Sequence, residues 1–119
     1  MLIAYWIVAG LTALAFLAAG GMKLARAKEQ LAASGMAWTE DFSAPVIKLI
    51  AAAEVLGALG LVLPMATGIA PVLSPVAGVC LAVIMVGAAV VHLRRHEPPI
   101  PLALLALAVA SAVLGFLAL

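Results

Sequence analysis

The chain has 119 residues, 68% of them hydrophobic and 9% charged, and a mean hydropathy of +1.35 excludes a soluble domain of ordinary composition. A net charge of +1 gives no reason to expect nucleic acid or an acidic macromolecule as partner. The single cysteine, Cys80, excludes an internal disulfide, a CxxC redox motif and a multi-cysteine metal site. At about 20 residues per crossing, the length accommodates four helical spans with short connections, so one unit over residues 1–119 is expected. The apolar runs are unbroken rather than alternating, which favours helices over an outer-membrane barrel.

The first span is expected as a retained helix over about residues 2–33. It lacks a basic n-region, and Lys23, Arg26 and Lys28 act as a stop-transfer signal. Its end is expected at Ser34-Gly35, where Gly35 suits a C-cap. The segment Met36 to Ala44 re-enters the membrane, with Trp38 and Phe42 as headgroup-level anchors. Ser43 as cap and Pro45 in the first turn then start a second span, 45–64, ending at Pro64. Ser74-Pro75 is read as cap and first helical position of a third span, 75–93. The rigid turn Arg94 to Pro101 leads into an uncharged fourth span, 100–118.

The basic residues of the loops fall in the 1–2 and 3–4 connections and none in the 2–3 connection. The positive-inside rule therefore places both basic loops in the cytoplasm and both termini outside. Short loops in an up-down order predict an all-α, integral membrane, antiparallel four-helix bundle.

Glu54 is the residue that asks for an explanation. It lies about 13 Å below the start of the second span, near mid-bilayer, where a carboxylate costs roughly 2.5–3.5 kcal/mol on insertion scales. Lys48 points about 120° away from it around the helix and is expected to snorkel to the surface. Lys23 ends the first span and His92 the third, on the same side of the membrane. Lys23, Glu54 and His92 are therefore expected to line one polar pocket that opens toward the cytoplasm. A buried Glu pair that only holds the bundle together is the rival reading. Gly57 and Gly60 are read as close-packing positions, Cys80 as a packing residue, and Arg94-Arg95 as a topology signal touching lipid headgroups. Two histidines without a suitably spaced carboxylate or thiolate fall short of a metal site.

These residues resemble the DoxX-like family of small bacterial four-helix membrane proteins. The likeness rests on Gly21-Met22-Lys23-Leu24, on Glu54 through Pro64 with its Gly57-Ala58 and Gly60-Leu61 pairs, on Met85-Val86-Gly87-Ala88, and on His92 through Glu97. It implies a four-helix fold in the bacterial inner membrane and emphasises Lys23, Glu54, His92 and Glu97. The family takes its name from a subunit associated with thiosulfate:quinone oxidoreduction. The resemblance thus implies a redox-associated accessory subunit that binds a quinone-like or other small amphipathic ligand, with electrons supplied by a redox-enzyme partner. Two other classes stay open, a small proton-coupled transporter and a structural subunit or assembly factor, either of which could act as a homo-oligomer. Intrinsic catalysis finds no support in the cysteine content or chain length, and no catalytic residue is assigned.

Overall fold

The computed structural model describes residues 1–33 and 35–119. Five α-helices follow one another in the described residues: α1 (Leu2–Ala25), α2 (Lys28–Ala33), α3 (Ala44–Thr67), α4 (Leu73–Arg94) and α5 (Ile100–Ala118), with a short 3-10 helix over Ala37–Asp41. Four of them, α1, α3, α4 and α5, are long and apolar enough to cross a membrane. The 41 Å long axis matches the roughly 40–45 Å of a bilayer with its headgroup regions.

The helices form a closed ring in which α1 packs on α3 and α5, and α4 packs on the same two. Contacts pair early residues of one helix with late residues of its neighbour. Tyr5 reaches Leu61, Gly57 faces Leu81, and Gly78 faces Ala112. Each helix contributes a narrow inward stripe, which in α3 is Ile47, Ala51, Glu54, Ala58 and Leu61 at alternating spacings of three and four. In α4 the outward stripe is valine-rich, with Val76, Val79, Val83, Val86 and Val90 all exposed. Phe16, Ala58, Leu61, Leu81 and Met85 meet at the centre. Small residues set the spacing there: a Cβ on Gly57 would lie 2.5 Å from Leu81 Cδ2. Thr12 Oγ1 and Ser111 Oγ, both buried, hydrogen-bond at 3.1 Å between α1 and α5.

The helix ends depart from the sequence expectation in ways that have local causes. The expected continuous helix over 2–33 breaks after Ala25, where Arg26 is extended at φ −109° and ψ 149°. Gln30 Oε1 then accepts the Ala27 N–H at 3.0 Å, so the glutamine caps a new helix from its own third position. The expected end at Ser34-Gly35 falls partly on Ser34, which lies outside the described residues. Gly35 has φ +104°, a conformation suited to glycine.

Pro64 does not end α3. The helix runs on to Thr67 and closes on Gly68 at φ 71°, with the Gly68 N–H on Pro64 O at 3.0 Å. A proline here removes one N–H near the helix end, and two neighbours bond the backbone around it. Tyr5 Oη donates to Leu61 O at 2.5 Å, and the Met65 N–H donates to Ser74 Oγ at 3.0 Å. Ser74 is therefore a buried link between α3 and α4 rather than the cap of α4, which begins at Leu73. Ser43 does cap α3, accepting the Val46 N–H at 3.4 Å. Cys80 is exposed on the outer face of α4, so it does not pack in the interior.

Candidate functional site

Gly20, one turn before Lys23, lets α1 approach α3 closely. A Cβ there would lie 2.9 Å from both Ala51 O and Val55 Cγ2 and 3.3 Å from Glu54 Cβ. The approach carries the Lys23 side chain onto the buried carboxylate, and Lys23 Nζ lies 2.5 Å from Glu54 Oε1. Glu54 is fully buried and Lys23 is 7% exposed. The second carboxylate oxygen, Oε2, is buried with no hydrogen-bond partner among the described residues. A buried acceptor left in this way is costly, and it marks the place where the pair is incomplete.

Beside the pair lies a cavity of about 630 Å³ whose lining includes Lys23, Glu54 and His92 together with Trp38, Phe42 and Met85. The three residues expected to share a pocket therefore do line one cavity. They do not all touch. Lys23 and Glu54 are bonded, whereas His92 is held elsewhere: its Nδ1 lies 3.1 Å from Pro98 O and 3.9 Å from Glu97 Oε2. That arrangement depends on the turn after α4, where His96 takes φ 55° and the Glu97 N–H returns to His92 O at 2.9 Å.

Trp38 joins the two halves of the site. Lys23 Nζ sits 5.3 Å from its ring centroid and the His92 ring 6.1 Å from it, and Phe42 packs edge-on at 5.8 Å. The aromatic pair expected to anchor at headgroup level thus lines the cavity. An aromatic residue in a polar connection beside two inward-facing ionisable groups was the available signal.

Two further basic residues have roles that their sequence positions did not disclose. Lys48 does not extend freely to the surface. Its ammonium donates to the carbonyls of Lys23, Leu24 at 3.0 Å and Arg26 at 2.6 Å, which would otherwise be unpaired at the end of α1. Arg95, expected at lipid headgroups, is instead bonded to Asp41 Oδ2 at 2.8 Å and Glu97 Oε1 at 2.8 Å, with Glu40 at 3.9 Å. The Asp41 and Glu97 bonds push its pKa above the ordinary guanidinium value, so it stays charged. This cluster pins the 3-10 helix that carries Trp38 to the end of α4.

No curated protein and no solved structure matches the chain. A family model does, over residues 7–113, which include α3 and α4 whole, most of α1 and α5, and every residue of the cavity described above. The four-helix membrane architecture and this match agree: the chain belongs to the DoxX-like family.

Proposed function

We propose that this membrane protein binds a small amphipathic molecule, quinone-like in size, in the cavity between Glu54 and Trp38. It would serve as a redox-associated accessory subunit of the bacterial inner membrane, with electrons supplied by a partner. The observation that carries the reading is the cavity itself. Its volume of about 630 Å³ falls within the usual range of about 300–1,000 Å³ for small-molecule sites, and its mostly apolar wall meets a few convergent polar groups. An aromatic body would lie against Trp38 and Phe42 and a polar head near Glu54. With the basic loops in the cytoplasm, the site would open toward that side, and both termini would lie outside.

Menadione binding tests the reading, followed by quenching of Trp38 in a Trp6→Phe background, which leaves Trp38 as the single tryptophan. Quenching in lipid nanodiscs should saturate and should be lost when Ala88, on the cavity wall, is replaced in Ala88→Phe. Equal, non-saturating quenching of both proteins would mean simple partition into lipid and would overturn the proposal.

A further inference from the structure

One buried hydrogen-bonding side-chain atom on a cavity-lining residue has no partner among the described residues. Lysine has only donors to offer, and the Lys23 ammonium is turned toward Glu54 Oε1 and the face of Trp38. Glu54 Oε2 is left as a buried acceptor with no partner among the described residues, on a side chain only 1% exposed. That oxygen is the acceptor open to a ligand, beside an aromatic wall formed by Trp38 and Phe42.

We infer that the cavity selects molecules that present a hydrogen-bond donor on an aromatic body, the phenol class, over carbonyl or ether analogues of the same shape. The inference rests on the proposal that this cavity binds an amphipathic ligand, and it specifies the head group. A phenolic hydroxyl donating to Oε2 satisfies the one buried side-chain acceptor left unpaired among the described residues, and loses little by leaving water. An ether or quinone carbonyl can accept from the Lys23 ammonium but leaves Oε2 without a bond, so it binds more weakly than the phenol.

The test compares 4-(trifluoromethyl)phenol with 4-(trifluoromethyl)anisole by fluorine NMR in nanodiscs, each corrected for partition into empty discs. The phenol should bind about tenfold more tightly than its methyl ether, the scale of one hydrogen bond to a charged acceptor. In Glu54→Gln the preference should reverse. The amide oxygen must face the Lys23 ammonium, which leaves the amide NH₂, a donor, where Oε2 was. Equal binding of phenol and ether to the unaltered protein overturns this inference while leaving the cavity as a binding site. Absence of saturable binding by either compound overturns both readings. A phenol preference that persists in a folded Glu54→Gln also overturns it. Should that variant fail to fold, 4-(trifluoromethyl)aniline against its N,N-dimethyl derivative repeats the comparison on the unaltered protein, and a preference for the dimethyl compound refutes the donor rule.

Discussion

Replacing Lys23 by methionine should unfold this protein far more readily than replacing Lys23 and Glu54 together. In the intact bundle, Oε1 has the Lys23 ammonium at 2.5 Å and Oε2 has no partner among the described residues, so Lys23→Met leaves a fully buried carboxylate with neither oxygen satisfied. Removing one member of a buried ion pair costs about 3–5 kcal/mol, and loss of the cation over Trp38 adds roughly 0.5–2 kcal/mol. Glu54→Leu is milder, at about 1–2 kcal/mol, because Lys23 lies at the end of α1 and its long stem can carry the charge toward the polar loop. In the double variant no charge remains in the interior, and two apolar side chains of similar volume should leave stability within about 1 kcal/mol of the original. The resulting coupling of at least about 3.5 kcal/mol is well outside the error of a double-mutant cycle. Reversible unfolding in mixed micelles, followed by tryptophan fluorescence, measures all four proteins. A double variant as unstable as Lys23→Met would refute the argument, because the loss would then reflect packing rather than an uncompensated charge.

Three other perturbations probe the parts around the site. Arg95→Ala should change global stability by less than about 1 kcal/mol, since its partners are solvent-accessible, yet it should expose Trp38 to acrylamide by freeing the 3-10 helix from α4. Unaltered quenching would show that this helix is held by other contacts. Gly57→Ala should cost about 1–3 kcal/mol through the clash with Leu81, and combination with Leu81→Ala should cost clearly less than the sum of the two, as unfolding of the double variant will report. Lys48→Met should remove about 1 kcal/mol and speed amide exchange over residues 24–31, with the rest of the bundle unaffected, because its three carbonyl partners all lie at the break between α1 and α2.

The ionisable residues of the helix interior were the ones whose places the sequence made legible, whereas those of Lys48 and Arg95 were not. Glu54, Lys23 and His92 stand out against an apolar background, and helix rise with loop charge was enough to bring them toward one pocket. The apolar residues were harder to place. Cys80, expected as a packing residue, is exposed, because lipid-facing and buried positions are equally apolar in a membrane helix and the 3.6-residue period has little contrast to reveal. Pro64 suggested a helix end, but only tertiary partners, Tyr5 and Ser74, show how the backbone around it is accommodated. The break at Arg26 was written in Gln30, whose capping role depends on where the helix stops. Trp38 was read as an anchor because composition gives depth and not direction, and its direction is set by the Arg95 cluster on a different segment.

The central claim is that the space beside Glu54 holds an aromatic molecule by its donor group. A structure of the protein soaked with 4-bromophenol tests it most directly, since anomalous scattering locates the bromine without reference to the surrounding density. The account predicts bromine inside the cavity, with the phenol ring against Trp38 and its oxygen within hydrogen-bond distance of Glu54 Oε2. Bromine found only among the lipid-facing valines of α4, with the cavity unoccupied or filled by an acyl chain, would contradict it.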